Sequence, residues 1–140
     1  ALNLKPPDMN TELKNLRRKL KAGADFILTQ PIYHPAPVTD FLHAYESEYG
    51  KLPIPLIVGL LPLASARHAA FLQAEVPGIE IPLETRLLMD SSGDQGARTG
   101  IRLTIDLINQ IKPQVQGIYL MTVFQRYDYA AEIIEGTINA

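Results

Sequence analysis

Along this chain, short apolar runs alternate with segments whose apolar residues recur every three or four positions. The runs predict strands over 25–30, over 52–62 (LPIPLIVGLLP), over 78–82 (GIEIP) and over 117–124 (GIYLMTVF). The periodic segments predict helices. The first covers roughly 11–22, capped by Asn10 or Thr11, with Leu13, Leu16 and Leu20 as its apolar stripe and Gly23 as its stop. A second runs over about 38–49 behind Pro35 and Pro37, with Phe41, Leu42 and Tyr45 inward and Gly50 ending it. Ser65 caps a third, ARHAAFLQAEV. LETRLLMD is a short helix, and a longer one from about 95 to 112 carries Ile101, Ile105, Ile108 and Ile111 at helical spacing. RYDYAAEIIEGTI forms the last.

The order is therefore a helix, then four strands each followed by a helix. Strands apolar on both faces and alternating with helices predict an α/β fold with a helix-covered parallel sheet. Two architectures fit: a short doubly wound sheet, or half of a TIM-type (βα)8 barrel. In either, ligands sit at the C-terminal ends of the strands. Those ends carry Thr29, Gln30 and Tyr33; Gly59, Leu61 and Pro62; Pro82; and Thr122, Phe124, Gln125 and Arg126. An apolar rim bearing a few amides, hydroxyls and one Arg suits a flat, partly polar organic ligand.

Composition narrows the chemistry. The 140 residues suit one domain, and 13 basic against 15 acidic residues give a net charge of −2, with no electrostatic case for nucleic acid or an anionic membrane. There is no cysteine, which removes disulfides, thiolate catalysis and Cys-based zinc sites and fits a reducing, cytoplasmic setting. No apolar run approaches the ~18 residues of a membrane span. His34, His43 and His68 are scattered, and no acidic pair has ligand spacing, so no metal is expected. Neither GxGxxG after the first strand nor GxxxxGK[ST] occurs. The chain opens on Ala1, which suggests a piece of a longer protein.

The phrases NLRRKLKAGADFILTQPIY (15–33), IPLIVGLLPLASARHAAFL (54–72), VPGIEIP (76–82) and GIYLMTVFQRYDYA (117–130) together resemble the methylenetetrahydrofolate reductase family, flavoenzymes built on an eight-fold βα barrel. The resemblance covers nearly the whole chain and implies that 1–140 is a partial reductase domain, the C-terminal half of the barrel. The GLLPL and TQP wording is most similar to the reductase module of bacterial enzymes that fuse it to a homocysteine methyltransferase. The implied chemistry is reduction of 5,10-methylenetetrahydrofolate to 5-methyltetrahydrofolate, with NADH or NADPH as reductant and FAD as carrier.

The resemblance also implies residue roles, each beside a plainer alternative. Gln30 matches the family glutamine that hydrogen-bonds the pterin, and the nicotinamide in the same place; an amide offers the donor and acceptor that a pterin edge requires. It is otherwise a strand-end amide capping a loop. Glu12, Asn15 and Lys19 share one helix face, which periodicity alone reads as a solvated polar face. In the family these positions touch the adenosine and pyrophosphate of FAD, although Glu12 stands where aspartate is more usual. Arg126 matches an arginine that meets the folate glutamate tail, and is otherwise a surface Arg at a helix start. Tyr33 and Phe124 are candidates for a stacking slot or for core filler. The family's general acid and most flavin contacts belong to the N-terminal half, so this chain alone is expected to be inactive. It would need that half as partner, or two copies would pair into a barrel-like homo-oligomer. The alternatives are another pterin-binding βα-barrel enzyme, such as a methyltransferase domain, and a non-catalytic structural half-barrel.

Overall fold

The computed structural model describes residues 1–139. Helix α1 (Met9–Lys21) begins at Asp8, whose carboxylate accepts the Asn10 N–H at 3.1 Å and the Thr11 hydroxyl at 2.5 Å. The cap thus lies two residues before the predicted Asn10 and three before Thr11, because the two oxygens of the Asp8 carboxylate satisfy both downstream donors. Leu13 and Leu16 are buried, and Arg18, Lys19 and Lys21 in the last turn complement the carbonyl end of the helix. Gly23, at φ 96°, makes the left-handed exit.

Strand β1 (Ile27–Leu28) follows, then α2 (Ala36–Tyr49), β2 (Leu56–Leu60), α3 (Ala66–Glu75), α4 (Leu83–Ser91), a 3-10 turn (Gly93–Gln95), α5 (Gly96–Ile111), β3 (Gly117–Leu120) and α6 (Tyr127–Ile138). The strands form one parallel sheet in the order β1-β2-β3, with Ile27 opposite Leu56 and Val58 opposite Ile118. Side chains alternate across it. Ile27, Leu56, Val58 and Leu60 bury themselves against Leu16, Val38, Phe41, Tyr45, Ile108, Ile111 and Ile133 of the helices. Each such fully buried side chain contributes roughly 1.5–3 kcal/mol. The other face carries Phe26 and Leu28, 55% and 40% exposed. Sequential strand order with helices on a single face is the winding of a βα barrel. A doubly wound sheet, with its reversed strand order and helices on both faces, is excluded.

The fourth parallel position is not where the sequence placed it. Residues 78–82 form no strand: the Ile81 N–H is taken by the Gln73 side chain at 2.7 Å, and its carbonyl by Arg86 at 3.1 Å. With side chains satisfying its backbone, this segment stays out of the sheet, and β2 pairs directly with β3. The fourth position is instead Leu2, bridged in parallel to Thr29: its N–H reaches Leu28 O at 2.8 Å, and the Gln30 N–H reaches Leu2 O at 2.9 Å. A single residue before a Pro-rich segment gives no strand pattern, so nothing in the sequence announced it.

A second, smaller cluster of Leu63, Ala69, Leu72, Ile81 and Met89 sits beyond the C-terminal end of β2 and receives Tyr33 and Leu61. It is clamped to α5 where Gly96 and Gly100 let the helix approach the 63–65 backbone. A Cβ on Gly100 would lie 1.8 Å from Leu63 O, a backbone atom that cannot rotate aside. Gly100→Ala is therefore expected to destabilise the chain by at least the ~1–3 kcal/mol typical of overpacking, read as a lower urea midpoint with unchanged slope.

Candidate functional site

Thr29 is wholly buried where β1 ends. Its hydroxyl accepts the Gly59 N–H at 3.0 Å and donates to Gln30 O at 2.8 Å, while its own carbonyl accepts the Tyr119 hydroxyl at 2.6 Å. Gly59 makes this possible: a Cβ there would meet the Tyr119 ring at 2.7 Å and Thr29 O at 2.9 Å. Sequence reading noticed Thr29 as a strand-end residue, but not that it and Tyr119 tie the strands together. Buried Thr after an apolar run is the one signal that pointed there.

Gln30 follows on this fixed support. Its Oε1 is buried and has no hydrogen-bond partner among the described residues. Gly78, at φ 83°, lies over it, and a Cβ at that glycine would stand 2.7 Å from Oε1. Around them is a cavity of about 20 Å³ lined in part by Lys5, Tyr33, His34 and Glu80. That is room for about one water. His34 Nδ1 is likewise buried without a partner, and Lys5 and Glu80 pair at 2.6 Å. Tyr33 donates its hydroxyl to Leu61 O at 2.9 Å, and burial pushes that hydroxyl well above the usual phenol range. Tyr33 thus fastens the β1 exit to the β2 exit.

The polar face of α1 is present as spaced. Glu12 accepts the Asn3 N–H at 3.2 Å, and Asn15 accepts from Arg18 at 2.6 Å. Lys19 is exposed, makes no ion pair among the described residues, and borders a groove with Leu16, Phe26 and Leu28.

Phe124 and Arg126 stand apart from Gln30. Phe124 is 77% exposed and, with Gln125, adopts left-handed backbone, φ 51° and 58°. Its ring lies 5.8 Å from that of His68, above a depression of about 600 Å³ bordered by Ser65, Arg67, His68, Phe71 and Thr122. Ser65 caps α3 as read from the sequence, accepting the His68 N–H at 3.0 Å. His68 Nδ1 accepts the Ala64 N–H at 3.1 Å, and burial lowers its pKa, so the ring is neutral with its proton on Nε2. Arg126 turns to Asp128 through two bonds of 2.9 and 2.6 Å and lies 3.8 Å over the Tyr129 ring. The structure therefore brings Gln30 and Tyr33 to one cavity, and leaves Phe124 beside another. Among the described residues no cluster of His, Asp and Glu has metal-binding geometry, and no helix is long and apolar enough to cross a membrane.

The family model described as methylenetetrahydrofolate reductase matches residues 2–137. Among solved structures the chain is similar to an uncharacterised protein from Clostridium thermocellum, described as binding two copies of 5-methyl-5,6,7,8-tetrahydrofolic acid. The TM-score is 0.67 at 18% identity, over 93% of this chain and 48% of that one. The chain spans about half the length of that structure, and at this identity the likeness establishes the fold, a partial βα barrel.

Replacing Thr29 by Val strands the buried Gly59 N–H and is expected to cost about 1–3 kcal/mol in urea unfolding, whereas Thr29→Ser, which keeps the hydroxyl, costs less. His68 gives a pH signature. Its folded pKa lies below the unfolded value of about 6.5, so the unfolded chain takes up the proton first and stability falls as pH drops below that value. Nitrogen NMR is expected to show Nε2 protonated at pH 7, and His68→Gln to flatten that part of the pH dependence.

Proposed function

The chain belongs to the methylenetetrahydrofolate reductase family, and from that premise we propose that it forms the folate-reading part of a flavin-dependent site reducing 5,10-methylenetetrahydrofolate to 5-methyltetrahydrofolate. The observation that carries the reading is Gln30: an amide at the C-terminal end of a barrel strand, its backbone fixed by Thr29 and its Oε1 buried without a partner. A buried acceptor left unpaired costs about 1–3 kcal/mol. A pterin edge, which presents adjacent N–H donors and acceptors, would satisfy it. The present cavity holds about one water, so the ligand displaces the turn carrying Gly78 as it enters. The name of the Clostridium protein, with its bound methyltetrahydrofolate, supports a folate ligand for this fold.

The residues present fit FAD in part. Lys19, unpaired on the surface, suits a phosphate as a point charge, and Asn15 would give up Arg18 to reach a ribose or phosphate oxygen. Glu12 is already engaged with the Asn3 N–H and is the weakest of the three. When bound, the flavin supplies hydride transfer from NADH or NADPH. The chain's own residues orient: Gln30 sets the pterin, Phe124 offers a face for stacking, and Arg126 meets the tail carboxylate by exchanging Asp128 for it. Tyr33, tied to Leu61, serves as the wall behind Gln30. A completing half-barrel covers the exposed inner face of the sheet and supplies the remaining contacts.

The test is a fluorescence titration of FAD, and of 5-methyltetrahydrofolate, with the chain alone and together with its completing half-barrel. Quenching of flavin by the pair is expected. Lys19→Ala should weaken it about tenfold, or about 1.4 kcal/mol. Gln30→Leu should leave flavin binding in place and remove folate binding. Folate binding without flavin binding would instead identify a pterin-binding barrel of another chemistry. Loss of both would overturn the proposal.

A further inference from the structure

Two buried polar side-chain atoms lack a hydrogen-bond partner among the described residues, and both belong to residues lining one cavity. They are Oε1 of Gln30 and Nδ1 of His34. The family-based roles use Gln30 and assign nothing to His34. Buried polar atoms are almost always paired, so two orphans around one small space point to a shared partner.

The chemistry of the pair limits what that partner is. An amide oxygen only accepts, and an imidazole nitrogen accepts when the ring proton sits on the other nitrogen. Two acceptors cannot bond to each other, so a group with two donors has to stand between them. A proton on Nδ1 would permit a direct bond to Oε1, and the structure has no such bond. The cavity is about 20 Å³, which is room for one water and too little for a ring. Neighbouring groups are already engaged. The Tyr33 hydroxyl is given to Leu61 O at 2.9 Å, and Glu80 accepts from Lys5 at 2.6 Å. Lys5 lines the cavity and keeps two further ammonium protons, which supplies a donor for a water oxygen. Gly78 closes the space over Gln30, where a Cβ would stand 2.7 Å from Oε1. A buried water needs two to four polar partners, and this lining provides them.

We infer that one water is held in this cavity, donating one hydrogen to Gln30 Oε1 and the other to His34 Nδ1, and that His34 is thereby a positioning residue for Gln30. A glutamine amide has two ends of opposite hydrogen-bonding sense, and a half-turn of the group exchanges them. A water anchored on His34 presents a hydrogen to Gln30, and so selects the orientation with Oε1 in the cavity. When a ligand N–H takes the place of that water, the acceptor already faces it, and no ordering cost remains. The positioning role rests on the folate reading above; the water site does not.

The experiment is NMR on the chain itself. Water-selective Overhauser spectra of the wild type are expected to show a long-lived water with cross-peaks to the Gly78 amide and the Gln30 side-chain amide. Nitrogen shifts should place the His34 proton on Nε2. His34→Leu, which removes the acceptor, should abolish the water cross-peaks and broaden the Gln30 side-chain amide as it exchanges between two orientations. His34→Asn, whose side-chain oxygen can stand where Nδ1 stands, should restore both. Circular dichroism confirms that each variant is folded. Titration of 5-methyltetrahydrofolate into the chain with its completing half-barrel then reads the positioning role. His34→Leu is expected to bind about tenfold more weakly than wild type, and His34→Asn within about twofold of it. A wild type with no long-lived water, or a His34→Leu variant that keeps both the water and an ordered amide, overturns the inference while leaving the folate reading standing. Equal folate affinity in wild type and His34→Leu overturns the positioning role. A wild type that binds no folate overturns the folate reading and the positioning role with it, whereas the water site stands or falls on the spectra.

Discussion

Everything at the functional end of this fold hangs on the polar node at Thr29. One buried residue joins all the parallel segments: its N–H goes to Ile57, its hydroxyl to Gly59 and Gln30, its carbonyl to the Tyr119 hydroxyl, and its flanks to Leu2. In a low-dielectric interior such bonds reinforce one another, and each unmade partner would be costly. The node therefore sets strand register and, in the same stroke, the direction in which Gln30 leaves the sheet. Fold and site are coupled by one side chain, and the glycine at 59 exists to let the partners close around it.

That node explains what could be read in the sequence and what could not. The helices were legible from apolar positions at helical spacing, which α5 buries as Ile101, Ile108 and Ile111. Three strands were legible as apolar runs, seen in the structure as IL, LIVGL and GIYL, each shorter than the run that announced it. The run at 78–82 misled because strand propensity says nothing about pairing. Gln73 and Arg86 claim its backbone from outside the segment, and no local pattern reveals that. Leu2 failed in the opposite sense, pairing as one residue with no run around it. The candidate site divides the same way. The family resemblance supplied Gln30, but the unpartnered Oε1 and the glycine over it are facts of tertiary placement.

Charge at the site shows why residue identity alone does not fix a role. Arg126 and Arg67 are both exposed arginines near strand ends, and of the two only Arg126 matches a family position by sequence. In the structure one is neutralised by a bidentate carboxylate and a ring, and the other faces a depression lined with apolar and neutral groups. A guanidinium already satisfied offers an incoming anion only the difference between two similar pairs. An unsatisfied one offers the full interaction, less its own desolvation. Asn15 and Lys19 repeat the contrast on α1, where Asn15 is engaged with Arg18 and Lys19 is not.

The sheet carries one more constraint. Parallel strands are ordinarily covered on both faces. Here the helices cover one, while Phe26 and Leu28 stand exposed on the other. Beside the open edge of β3, Ile118 and Leu120 border an apolar groove with Ile134 and Ile138, which are 49% and 75% exposed on α6. An uncovered face and an open edge next to an apolar groove fit a partial βα barrel. The same uncovered face carries Gly59 and Tyr119 in register at its rim, level with the exit of Gln30. The Thr29 node therefore holds together the rim of the same face that the helices leave uncovered.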